Sequence, residues 1–193
     1  MISGPSSPRL LMAEPVSHPF DLCPFDGGTT SPALQLGGEI SRVETRLLLS
    51  FRLGGAIEAV RLSSPVASPS RQDGLWSTTC FECFWGVEGE LPYWELNLSP
   101  AGHWNLYRLE AYRDGLRPEP GYDLPPHRLV RDAGGLSLHL DLPLPPSIPT
   151  DVPLQVAITS VIEDRNGRLS YWALAHPGAE PDFHRRDGFL LRL

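Results

Sequence analysis

Tyr93, Glu95 and Asn97 stand at every second position of one short segment, Asn105 and Tyr107 do so in the next, and Glu82 lies in the segment before. A period of two is that of an extended strand, whose alternate side chains share a face. Carboxylates, amides and phenols fixed on a sheet suit sugar hydroxyls, which both donate and accept hydrogen bonds. The plainer alternative is a solvated sheet face, common in antiparallel sheets. Two carboxylates on adjacent strands count against it, because like charges held close cost energy. Glu82 and Glu95 also permit a glycoside hydrolase, with carboxyls ~5–5.5 Å apart for retention or ~6.5–9.5 Å for inversion. Sequence spacing does not set that distance, and binding without catalysis is the expectation.

Further side chains could join such a site. Of the five tryptophans, Trp85 and Trp94 fall on an apolar face, whereas Trp76 and Trp172 are candidates for stacking on a ligand. The segment from His176 to Asp187 carries His184 and Arg186, which could hold an anion or orient a water. Its alternative is a loop locked by an aspartate-to-backbone bond and a salt bridge. Cys80-Phe81-Glu82-Cys83 has a metal-chelating spacing, but in a strand the two thiols face opposite sides, so buried inert cysteines are expected. No catalytic residue, metal ligand or cofactor is assigned.

The elements that must place these residues are strands. The 193 residues include 21 prolines, which leave few windows for helices. Hydrophobic residues make up 41% and charged residues 20%, a globular balance. The formal net charge is −7 and the 16 basic residues, all arginine, are scattered, so nucleic acid is not expected as a partner. No apolar run of spanning length exists, so no membrane is expected. The absence of a basic start and apolar signal core, with three cysteines, leads to an expected cytoplasmic location.

Alternating apolar runs predict strands over 42–53, 56–62, 79–87, 93–98, 103–109, 136–142, 154–163, 169–176 and 188–193, with a helical turn only near 110–115. The fold class is all-β, an antiparallel β-sandwich of jelly-roll type in one domain over 18–193, after a disordered tail over 1–17. A turn at Gly89-Glu90 sets Glu82 opposite Asn97, Phe84 opposite Glu95 and Trp85 opposite Trp94. A three-residue loop with Gly102 in the left-handed region sets Asn97 beside Asn105 and Glu95 beside Tyr107. A loop one residue different would exchange Trp104 for Asn105. A two-residue turn at Asn166-Gly167 pairs Val161 with Trp172 and Thr159 with Leu174, leaving Tyr171 and Ala173 on the core face with Ile158 and Ile162.

The runs from Leu75 to Glu82 and from Pro92 to Tyr107, with Phe20-Asp21-Leu22-Cys23-Pro24-Phe25 at the start and Ser170 to Pro177 and Pro181 to His184 at the end, resemble the bacterial DOMON-like proteins. These are related to the family-nine carbohydrate-binding modules. The resemblance covers about residues 18–193. It implies a β-sandwich whose concave face binds a ligand; some relatives bind sugars and some haem. The glutamate of the family's strand motif falls on Glu82, and its Tyr-x-Glu-x-Asn stretch on Tyr93, Glu95 and Asn97. In sugar-binding relatives two tryptophans sandwich the ring, and Trp76 and Trp172 are the nominees here. The methionines are Met1 and Met12, so a Met/His haem pair is not expected.

The expected function is therefore non-catalytic binding of a small polar ligand, a carbohydrate, at Trp76, Glu82, Tyr93, Glu95, Asn97, Asn105, Tyr107, Trp172, His184 and Arg186. The alternatives are a scaffold that docks a partner protein through the acidic face, and the hydrolase above.

Overall fold

The computed structural model describes residues 16–25, 33–123, 127–132 and 134–193. Most of the expected tail, residues 1–15, lies outside the described residues. Among the described residues, thirteen strands form two antiparallel sheets. The smaller has the order β1 (Ser17–Asp21), β3 (Leu34–Val43), β4 (Arg46–Gly55), β10 (Gly135–Pro143), β9 (His127–Asp132). The larger runs β2 (Cys23–Pro24), β12 (Leu169–Ala173), β11 (Leu154–Glu163), β5 (Cys80–Val87), β6 (Tyr93–Leu98), β7 (Trp104–Leu109), β8 (Arg117–Pro118). β13 (Leu191–Arg192) pairs with β11 beyond the end of β12.

Alternation explains the two layers. Leu47, Leu49, Phe51 and Leu53 of β4 and Leu136, Leu138, Leu140 and Leu142 of β10 point inward from one sheet. Phe81, Cys83 and Trp85 of β5, Leu96 of β6, Leu106 of β7 and Ile158 of β11 meet them from the other. All are almost fully buried, and each such side chain removed from water contributes about 1.5–3 kcal/mol. The all-β sandwich expected from the alternation is the observed architecture.

The registers of β5, β6 and β7 match expectation: Glu82 pairs with Asn97, Phe84 with Glu95, Trp85 with Trp94, Asn97 with Asn105 and Glu95 with Tyr107. Gly102 takes φ 94°, which settles the loop before β7. The register of β11 and β12 is a correction. Val161 pairs with Tyr171, Ser160 with Trp172 and Thr159 with Ala173, one residue away from the expected pairing. The cause is Asp164. Its Oδ1 accepts the backbone N–H groups of Asn166 and Arg168, at 2.8 and 2.9 Å, and its own N–H donates to the Arg168 carbonyl. The loop is thereby three residues long, with Gly167 at φ 81°, rather than two. A shift of one residue exchanges the faces of β12. Trp172 enters the core and Tyr171 leaves it.

Other expectations also change. Residues 56–62 form no strand; Ile57–Ala59 is a 3-10 turn, and Val60 makes a single bridge to Asp164. Residues 110–115 close as a tight turn bridged between Ala111 and Asp114, not as a helical one. Of the last predicted strand, Leu191–Arg192 forms β13, and Leu193 continues the pairing by exchanging backbone hydrogen bonds with Leu154.

Candidate functional site

The face of the larger sheet turned away from the core carries Glu82 and Phe84 of β5, Tyr93, Glu95 and Asn97 of β6, Tyr107 and Leu109 of β7, Thr159 and Val161 of β11 and Tyr171 of β12. Sequence alone suggests a wet face. The structure covers it. The segment after β12 folds back across the strands, and Phe84, Tyr93, Tyr107, Leu109, Ala157 and Phe189 form a second buried apolar cluster, with Phe183 against it.

Three contacts pin this cover. Asp182 accepts from the Arg113 guanidinium at 2.9 Å, from the Tyr112 hydroxyl and from the His184 backbone N–H at 3.1 Å. Arg186 lies across Gly86, where an added Cβ would meet its guanidinium at 1.8 Å, and donates to Gln155 Oε1 at 2.8 Å and to the Val87 carbonyl. Phe189 stacks edge-on against Tyr93, with ring centroids 5.9 Å apart. The aspartate-to-backbone bond and a salt bridge, Arg185 to Asp187 at 2.6 Å, are both present.

Between cover and sheet remains a cavity of about 430 Å³, within the range of small-ligand sites. It is lined by the buried Glu82, Phe84, Glu95, Leu109 and Val161, the half-buried Tyr171, Phe183 and His184, and the exposed Trp76, Ser77, Arg113, Leu116 and Leu169. Glu82 and Glu95 are 2% and 4% exposed. Each carboxyl has one satisfied oxygen. Thr159 donates to Glu82 Oε2 at 3.0 Å, and the Asn97 amide donates to Glu95 Oε1 at 2.7 Å. The other oxygens, Glu82 Oε1 and Glu95 Oε2, are buried with no hydrogen-bond partner among the described residues. An unpartnered buried oxygen costs about 1–3 kcal/mol, so the fold maintains two costly groups at one cavity.

Burial favours their neutral forms. Desolvation, then repulsion from Glu95, pushes Glu82 up to about 8. Desolvation pushes Glu95 up to about 7, against the Asn97 hydrogen bond and the Arg113 charge. Burial, then Arg113, lowers His184 to about 4, and its ring is neutral near pH 7. The Arg113 backbone N–H donates to the Tyr93 hydroxyl oxygen at 3.2 Å, and that hydroxyl lies 2.9 Å from His184 Nδ1. If the hydroxyl donates to Nδ1, the ring proton sits on Nε2, which is 4.0 Å from Glu95 Oε2. In that tautomer the Tyr93 hydroxyl both accepts and donates, while Glu95 Oε2 stays without a hydrogen bond.

Of the ten sequence candidates, Trp76, Glu82, Glu95 and His184 line the cavity. Asn97 and Tyr93 stand behind them and orient Glu95 and His184. Asn105 and Tyr107 serve a loop instead: both donate to Asp73 Oδ1, at 2.9 and 2.6 Å, and Trp76 lies edge-on to the Tyr107 ring at 5.9 Å. Trp172 lies in the core with its indole N–H on Ser170. Arg186 is a strut of the cover, outside the cavity lining. The lining residues that sequence reasoning missed are Ser77, Phe84, Leu109, Arg113, Leu116, Val161, Leu169, Tyr171, Pro181 and Phe183. Phe84 shares Glu82's alternation and could have been found; Arg113 and Leu116 reach the site through a turn that no local pattern marks.

Two early readings lose their geometry. The acidic strip is buried, so it offers no docking face to a protein. Cys80 lies 3.7 Å from Asn97 on the outer face while Cys83 lies in the core, so the pair cannot share a metal ion.

No protein-family model and no curated protein matches the sequence. Among solved structures, a candidate carbohydrate-binding protein from Bacteroides uniformis is similar at TM-score 0.64 and 15% identity, over 90% of this chain and 84% of that one. The similarity is one of fold. A family 9 carbohydrate binding module from Caldicellulosiruptor kristjanssonii, solved with cellotriose and with glucose, gives TM-score 0.47 and 11% identity in both cases, over 78% of this chain and 70% and 72% of those.

Proposed function

We propose that this protein binds a carbohydrate of one or two rings in the cavity between β5, β6 and the C-terminal cover, and performs no chemistry on it. The observation that carries this reading is the pair of buried oxygens, Glu82 Oε1 and Glu95 Oε2, left without partners at one cavity. A partly protonated carboxyl pair donates as well as accepts, which is what adjacent sugar hydroxyls require. Tyr171, Phe183 and Trp76 supply flat apolar walls for the ring faces. The resemblance to DOMON-like proteins, and the sugar-binding description attached to a protein of similar fold, agree with this assignment.

The hydrolase reading is the second one. Hydrolysis needs one carboxyl protonated as acid and the other ionised as nucleophile or base. Burial, which raises both carboxyls, leaves the pair partly protonated near pH 7, so turnover rather than charge separates the two readings. The test is calorimetric titration with a panel of mono- and disaccharides, alongside nitrophenyl glycosides as substrates. Saturable binding without nitrophenol release is the expected result. An empty panel, or release that Glu82→Gln abolishes, would overturn the proposal.

A further inference from the structure

Glu82 and Glu95 stand diagonally on neighbouring strands, since Glu82 pairs with Asn97 and Glu95 with Phe84. Diagonal positions of an antiparallel pair lie about 7–8 Å apart, so carboxyls hung from them can close on one small group between them. Both line the same cavity, both are almost fully buried, and each keeps one oxygen that accepts no hydrogen bond among the described residues. No cation of the described chain bonds to those oxygens. The Arg113 guanidinium is held by Asp182 at 2.9 Å, and His184 Nε2 stays 4.0 Å from Glu95 Oε2 on a ring that is neutral near pH 7. The titratable groups that face the pair are the Cys80 thiol, the Tyr93 and Tyr107 hydroxyls, His184, and Arg113 with Asp182. Of these only Arg113 is cationic near pH 7, and Asp182 offsets it.

Two buried carboxyls without a counter-charge stay in the fold by holding protons. A sugar hydroxyl gives such an oxygen one donor and no charge. An ammonium group gives up to three donors, and its bonds to carboxylate are charge-assisted and roughly twice as strong as neutral ones. We infer that the ligand is an amino sugar, whose free ammonium group stands between Glu82 Oε1 and Glu95 Oε2 while its ring hydroxyls face the rest of the cavity lining. This inference rests on the carbohydrate reading above and specifies its ligand class. The ammonium replaces a carboxyl proton, which passes to the buffer, so binding and deprotonation of the pair are linked. An N-acetylated amine lacks the charge, offers a single N–H and takes more room, so it is the poorer ligand.

The test is calorimetry on the full chain at pH 6.5 with glucosamine, galactosamine and mannosamine, each beside its neutral parent sugar and its N-acetyl derivative. Cyclohexylamine serves as a ring amine without hydroxyls. The expected result is that one amino sugar binds at least tenfold more tightly than its parent and its N-acetyl derivative. Its heat of binding should also differ between buffers of different ionisation enthalpy, because protons are released. Glu82→Gln/Glu95→Gln should reduce its affinity to that of the neutral parent and abolish the buffer dependence. A neutral parent or N-acetyl derivative that binds as tightly, a heat independent of buffer, or a preference that survives in the folded double variant overturns the inference while the carbohydrate reading stands. Cyclohexylamine binding as tightly as the amino sugars overturns the carbohydrate reading and this inference with it. If none of these compounds binds, both fall.

Discussion

The Tyr93 hydroxyl lies 2.9 Å from His184 Nδ1 and joins the middle of the larger sheet to the segment that roofs it. Tyr93 is fully buried, so the bond forms out of contact with bulk water, where a hydrogen bond is stronger and its loss more costly. Tyr93→Phe keeps the ring against Phe189 and removes only the hydroxyl. It should cost about 1 kcal/mol of stability and raise amide exchange over 181–186. Unchanged exchange there would show that the contact does not hold the cover.

Asp182 concentrates the remaining anchorage of that segment. Asp182→Ala frees Arg113, Tyr112 and the His184 backbone together. The expected outcome is faster proteolysis between His176 and Asp187 with the sandwich still folded, read by limited digestion and mass spectrometry. Digestion at the wild-type rate would contradict the placement of these residues.

Stability should depend on pH in opposing windows. Glu82 and Glu95 have folded values raised to about 8 and about 7, so the unfolded chain gives up their protons first and stability is lost as pH rises through those values. His184 has its folded value lowered to about 4, so the unfolded chain binds that proton first and stability is gained as pH rises from about 4 towards the ordinary histidine value of about 6.5. Above pH 6.5 the glutamates lead the loss, and towards pH 8.5 the buried thiols of Cys80 and Cys83, also raised by desolvation, add to it in the same direction. The melting temperature should therefore fall by several degrees between pH 6.5 and 8.5, and Glu82→Gln should flatten that fall. A melting temperature rising over this interval would contradict the burial of the pair.

Trp172 and Tyr171 are neighbours with opposite expected roles. Trp172→Ala empties core volume and should cost about 3–5 kcal/mol in denaturant unfolding, with the ligand site untouched. Tyr171→Ala, at the cavity, should leave stability within about 1 kcal/mol and weaken ligand binding. Reversed effects would restore the two-residue loop at Asn166-Gly167 that the structure replaces.

These two residues also show how far the sequence reaches. Where turn chemistry was local, as at Gly102, alternation placed Glu82, Glu95, Asn97, Asn105 and Tyr107 on one face and in the right register. At the β11–β12 hairpin a single side chain, Asp164, lengthened the loop by one residue and exchanged Trp172 for Tyr171. The cover was less legible still. Arg186 meets Gly86 across 100 positions of chain, and nothing in the periodicity of either segment records that approach. A face that looks half-wet from its alternation is consequently buried, and the same roof creates the cavity.

The paired free oxygens are tested most directly by calorimetric titration of the best-binding sugar into the wild type and into Glu82→Gln/Glu95→Gln at pH 7. The double amide keeps shape and hydrogen-bonding atoms for Thr159 and Asn97 but loses the carboxyl oxygens offered to the ligand. The account predicts a dissociation constant at least tenfold weaker, with the melting temperature maintained or raised. A folded double variant that binds as tightly as the wild type would contradict it.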